Sequence, residues 1–205
     1  HLKDFRFDEA SRVIYNFVWG SYCDWYLEFL KPVFYSKNKK AKKEAVTFSS
    51  YMFMNTLKLL HPFIPFFTEY MWQDNKFDKS LKSSLITSDW PKPTKNLTFD
   101  KSLNEIESLI EIITSIRSTK VQLNIPPREY CDIIYFNESK KTKIIIDNNM
   151  EIIKQVGRVE NIIKKTNSIT NIIQIVVLNE KIGLQFQTKI DLVSQKSTLI
   201  NKQNE

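Results

Sequence analysis

From Phe7 to Tyr35, apolar and aromatic residues return at helical spacing. Ile14, Phe17, Val18, Trp25 and Phe29 share one broad face, with Val13 and Tyr22 at its margins. The pattern predicts one long helix, with Asp8 and Glu9 near its positive end and Pro32 marking its end or a kink. A second pattern runs from about Lys43 to Leu60. Phe53, Leu57 and Leu60 form one stripe and Phe48, Met52 and Leu59 the next, so this helix is expected to be almost entirely buried. Pro62 and Pro65 then fit a tight connection into a short third helix through Trp72. The polar run from Gln73 to Ser84, followed by ITSDWPKP, predicts the longest surface loop. From Asp100 the set Leu103, Ile106, Leu109, Ile110, Ile113 and Ile116 predicts another amphipathic helix, ending before Pro126 and Pro127.

Beyond that proline pair the texture changes. Tyr130 to Phe136 (YCDIIYF) and Ile172 to Leu178 (IIQIVVL) read as strands. Lys140 to Lys154 reads as a helix with Ile144, Ile145, Met150 and Ile153 on its apolar side, and Gly183 to Phe186 as a third strand pairing back through an Asn179 to Lys181 turn. Ile190 to Glu205 fits an exposed helix. The expected architecture is therefore mainly α: a helical bundle over 1–127, a small α/β junction module over 128–189, and the start of an arm over 190–205.

Composition narrows the function classes. Gly20, Gly157 and Gly183 are the only glycines in 205 residues and none has a neighbour, whereas loops that cradle phosphates need several close together. A nucleotide-binding loop is thus excluded, and no cofactor follows from the chain. Cys23 and Cys131 have no paired spacing, which points to reduced thiols in a cytoplasmic protein. No apolar run approaches the roughly 20 residues of a membrane-spanning helix, and no membrane partner is expected. The formal charge of +7 suits a polyanionic partner. Lys, Ile and Asn are abundant throughout, however, so charge alone leaves open a purely compositional origin.

The strings CDWYLEFLKP (Cys23 to Pro32), LKLLHPFIPFFTEYMW (Leu57 to Trp72), SDWP (Ser88 to Pro91) and SIRSTKVQLNIPP (Ser115 to Pro127) stand in one order. Together they resemble the anticodon-binding region of valyl-tRNA synthetases, which are class I aminoacyl-tRNA synthetases. The resemblance extends to FRFDEASRVIYNFVW at one end and LVSQKSTLINK at the other, and so covers essentially the whole chain. The DWYLE and LLHPF strings are shared in looser form with isoleucyl and leucyl enzymes, and the valyl reading rests on the N-I-P-P segment and the α/β stretch after it. Ser118, Thr119 and Val121 depart from that segment's usual pattern of charged or small residues. The resemblance implies a domain that holds the anticodon stem and loop of a valine-accepting tRNA, followed by a coiled-coil arm. It also implies that the catalytic and editing domains, including the HIGH-type and KMSKS-type motifs that use ATP, lie elsewhere on the same polypeptide. On this reading the chain is a fragment, with the bundle's first helix expected before His1, and the parent ligase is expected to be monomeric.

Candidate tRNA contacts fall in two groups. Lys37, Lys39, Lys40, Lys42 and Lys43 concentrate positive charge just after the first long helix, and the alternative for them is a solvated connection between helices. Arg117 and Lys120 are placed at or beyond the polar edge of the helix from Asp100, in the segment that the resemblance puts near tRNA, with Arg128 just past the two prolines. Trp19, Trp25, Phe17 and Trp72 sit at core spacing, which favours burial over base stacking. Asp24 and Glu28 are four apart but have no partner to complete a catalytic set, and His1 and His61 do not have metal-ligand spacing. No catalytic or metal-binding residue is expected. The competing readings are a helical interaction domain without catalysis, which would scatter lysines over all faces, and a free-standing tRNA-binding cofactor.

Overall fold

The computed structural model describes residues 1–75, 84–93, 99–135, 139–164 and 172–186, without the side chains of 140 and 141. Mainly helical structure with a small α/β module is what it contains, and the chain divides into two compact units, 1–98 and 99–205. The arm expected over 190–205 lies outside the described residues, as do 76–83 of the long loop.

In the first unit the long helix predicted from Phe7 is present as three consecutive stretches. These are α1 (Phe7–Asn16), a wider i→i+5 coil (Phe17–Tyr26) and α2 (Leu27–Tyr35). Pro32 lies inside α2, and the helix closes at Ser36, whose N–H donates to the Pro32 carbonyl at 3.0 Å. Helix α3 (Lys39–Leu60) begins earlier than its apolar stripe suggests, because Asn38 caps it by accepting the Ala41 N–H at 3.0 Å. The expectation that this helix is almost wholly buried is corrected. Only Thr56 and Leu57 are buried, while Val46, Phe48 and Tyr51 are about half exposed.

Pro65 occupies the first turn of α4 (Pro65–Asp74), where a missing N–H costs nothing. His61 packs at this corner, with its Nδ1 2.7 Å from the Thr68 hydroxyl. Glu69 accepts the Leu85 N–H at 2.8 Å, and this tether holds the short turn Leu85–Thr87 against α4. Leu85 thereby completes a buried cluster with Leu57 and Trp72.

The second unit is a four-stranded sheet in the order β2-β1-β4-β3 with helices packed on it. Strand β1 (Cys131–Tyr135) is central and almost wholly buried. It pairs parallel with β2 (Val159–Lys164) and antiparallel with β4 (Glu180–Phe186), which pairs with β3 (Ile173–Val177). Two helices, α6 (Lys140–Asn148) and α7 (Met150–Gly157), make the β1 to β2 crossover where the sequence suggested one helix. Strand β2 was not anticipated. It is an edge strand in which Glu160 and Asn161 interrupt the apolar pattern and only Val159 is buried.

Leu178 and Asn179 form the two-residue β3–β4 loop, both with positive φ (52° and 63°), one step earlier than the expected turn. Leu178 is a poor residue for that conformation, and its N–H is held by the Glu111 carboxylate at 2.8 Å. Gly183 is required by close approach, since a Cβ there would stand 2.5 Å from the Ile172 side chain.

Helix α5 (Asp100–Gln122) packs on α6, α7 and β3. It was expected in the bundle, with a boundary after Pro127, whereas the compact units divide at 98/99.

Candidate functional site

Helix α5 decides what happens to Arg117 and Lys120. At about 100° per residue, the expected apolar set centres near Ile113. The residues actually buried are Leu109, Ile112, Ile113, Ile116, Thr119 and Lys120, an arc centred on Ile116. The helix is thus rotated by about 60° from the sequence reading. Leu103 is left 56% exposed, Arg117 stays outside, and Lys120 is drawn in to 2% exposure. The placement of Lys120 at the polar edge is therefore corrected: it follows Ile116 by one helical turn and continues that stripe.

The Lys120 ammonium donates to the carbonyls of Glu129 (2.7 Å), Gly157 (3.2 Å) and Arg158 (3.5 Å). Arg117 Nη2 donates to the Val156 carbonyl at 3.1 Å. The C-terminal carbonyls of α7, which no helical N–H can reach, are thus closed by two cations of α5 at the negative end of the helix. Burial pushes the Lys120 pKa down, opposed by Cys131 and Glu129. The same burial pushes the Cys131 thiol up to about 11.

Above this floor lies a pocket of about 480 Å³ lined by Arg117, Val121, Pro127, Arg128, Val156 and Arg158. No acidic side chain lines it. Arg158, absent from the sequence candidates, follows α7 in the left-handed conformation (φ 56°, ψ 54°). Its guanidinium donates to the Tyr130 hydroxyl at 3.2 Å and stands 5.8 Å from that ring's centre. The signal that could have found it is the Gly-Arg pair after a helical pattern, where the arginine rather than the glycine takes the helix-ending position.

The lysine group belongs to the other unit. Lys37 is in the α2–α3 connection, and Lys39, Lys40, Lys42 and Lys43 lie on the first turns of α3, not in an open loop. On a regular helix those four fall within an arc of about 160°, so they share a face. All but the half-buried Lys42 are exposed, and no acidic residue occupies the first turn. Positive charge at the positive end of a helix is unfavourable unless an anion balances it. The two groups of candidates lie in separate compact units, and each stands as its own surface.

Of the aromatic residues read as core, Trp72 is buried and Phe17 and Trp25 are half-buried. Trp19 is 60% exposed, which corrects its assignment. The wider coil from Phe17 to Tyr26 shifts side chains from their α-helical directions there. Glu28 pairs with Lys31 and His1 with Glu9. Among the described residues, no three His, Cys, Asp or Glu gather as a metal site, and no helix is long and apolar enough to cross a membrane.

Comparison with known proteins identifies what these surfaces belong to. A family model described as the anticodon-binding domain of tRNA ligase matches residues 1–135. A valine-tRNA ligase of Pelagibacter ubique is 39% identical over 204 residues, covering 100% of this chain and 23% of that protein. The valine-tRNA ligases of Rhizobium meliloti (34%) and Agrobacterium fabrum (32%) align over 199 residues each, covering 97% of this chain and 21% of theirs. The chain thus spans between a fifth and a quarter of the length of these relatives.

Proposed function

The chain belongs to the family of anticodon-binding domains of tRNA ligases, and on that premise we propose that it holds the anticodon stem and loop of a valine-accepting tRNA for a valine-tRNA ligase. The observation that carries the choice of valine is the reach of the similarity. It continues through the α/β unit past residue 135, where the family model stops. Two basic surfaces support the binding role: the lysine face of α3 and the arginine-lined pocket between α5 and the end of α7. Attachment of valine, with ATP as the energy source, falls to other parts of the polypeptide in this reading. The parent enzyme acts as a monomer in the cytoplasm.

Binding of the chain to transcripts of valine- and isoleucine-accepting tRNA, measured across a salt series, tests the reading. Preference for the valine tRNA is expected, with affinity falling steeply as salt rises. Replacing Lys39, Lys40 and Lys43 together by Ala should weaken binding and lower the salt slope by about 2 to 3. Absence of binding at low salt, or equal binding of both tRNAs, would count against it.

A further inference from the structure

The pocket at the end of α7 contains an unusual backbone position, a non-glycine residue in the left-handed conformation. Helices commonly end with glycine in the left-handed conformation, because any Cβ there meets the neighbouring carbonyl. Here Gly157 is available, yet it stays helical, and Arg158 takes φ 56°. Such a conformation persists only where the surroundings hold it, and here the Lys120 ammonium and the Cys131 N–H both donate to the Arg158 carbonyl. Arg158 lines the pocket, and Tyr130 beside it orients the guanidinium through its hydroxyl at 3.2 Å and its ring at 5.8 Å. Arg117 and Arg128 line the same pocket from α5 and from the segment after the two prolines.

Three arginines line this pocket and no acidic residue does, and planar guanidinium forks match phosphate oxygens. Val121, Pro127 and Val156 supply apolar wall beside them, against which a sugar can lie. We infer that Arg158, with Arg117 and Arg128, grips one phosphodiester of the bound RNA strand, and that Lys120 is the buried support of this grip and does not itself touch the RNA. The inference rests on the tRNA-binding role proposed above and adds to it a named phosphate pocket in the α/β unit. Lys120 and Arg117 hold the α7 carbonyls from below, so the Arg158 backbone is fixed before RNA arrives.

Arg158→Gly separates this role from a structural one. Glycine adopts φ 56° without strain, so the thermal midpoint should stay the same or rise. Affinity for the valine tRNA transcript at low salt should fall by roughly threefold to tenfold, with a salt slope smaller by about 1. Arg158→Asn, which also tolerates the left-handed conformation, should behave likewise, and Arg158→Lys should restore the slope. If wild-type protein binds tRNA and Arg158→Gly binds with unchanged affinity and slope, the pocket assignment fails while the tRNA-binding reading stands. If wild-type protein does not bind tRNA at all, both fail. Inorganic phosphate, titrated at constant ionic strength, is expected to leave RNA binding unchanged in the micromolar range. Displacement there would overturn the RNA strand as ligand in favour of a small phosphate compound.

Discussion

The two units use similar amounts of apolar sequence very differently. In the helical unit the buried cluster comprises Leu57, Trp72 and Leu85, while Phe66, Tyr70, Trp19 and Tyr15 each leave more than half of their surface exposed. In the α/β unit, Leu109, Ile113, Ile134, Ile146, Ile153 and Leu184 are completely shielded. Strand pairing accounts for the difference. A four-stranded sheet presents a continuous apolar face on which α5 and α7 pack, with α6 against those two helices, whereas the helices of the first unit bury stripes only where they cross. Stability drawn from the unit's own core should therefore be concentrated in the second. Arg158 and the pocket cations stand on that firmer base, and the α3 lysines stand on the more open one.

The largest effect expected is on the Ile core. Ile146→Ala empties a site with no exposed surface and should destabilise the α/β unit by about 2 to 5 kcal/mol in denaturant unfolding. A loss below about 1 kcal/mol would mean that this unit is as loosely packed as the other, and the contrast would collapse. Lys120→Met comes next. It keeps the stem but removes the ammonium donor from the carbonyls of Glu129 and Gly157, while the Arg158 carbonyl keeps the Cys131 N–H, at a cost of about 2 to 4 kcal/mol, read as a lowered thermal midpoint.

Cys131 sharpens the comparison through pH. Its thiol is raised from 9.0 to about 11 by burial, so the unfolded chain ionises first. The stability from the neutral thiol is present below pH 9.0 and is lost as pH rises through about 11, a change on the order of 3 kcal/mol. Lys120 acts in the opposite sense. Its pKa is lowered, so its unfavourable charge burial persists at low pH and is relieved as pH climbs toward the ordinary lysine range. The Cys131→Ala variant should show a shallower alkaline decline than wild type in unfolding titrations from pH 8 to 11, and superimposable curves would contradict the buried-thiol account.

The smallest effect is expected in the first unit. Phe66 is 91% exposed, so Phe66→Ala should change the unfolding free energy by no more than about 0.5 kcal/mol. A loss comparable to that of Ile146→Ala would show that α4's outer face carries stability after all.

Most of the helices were legible because their signals are local. Asp8 and Glu9 near a helix start, Pro65 in a first turn and the di-proline after α5 act within a few residues of themselves. Strand β1 was equally plain, since a central strand reads as an apolar run. Strand β2 was not, because an edge strand exposed on most of its length carries Glu160 and Asn161 and gains its order from pairing with β1. The candidate site divided in the same way. The α3 lysines were visible as a charge run and Arg117 and Arg128 as cations near a proline pair, but Arg158 carries only the weak signal of a Gly-Arg pair after a helical pattern.

By itself, then, the sequence determined the helical spans, the change of texture after Pro127 and the ordered strings that resemble an anticodon-binding region, all of which depend on near neighbours or on direct matching. Only the tertiary structure decided the rotation of α5. Which flank of an amphipathic helix goes inward depends on what waits there, and here the carbonyls at the end of α7 drew Lys120 into the interior and left Leu103 outside. It also decided that Arg158, 38 residues from Lys120, shares a pocket with Arg117 and Arg128, because the parallel β1–β2 crossover returns the end of α7 to the side of α5.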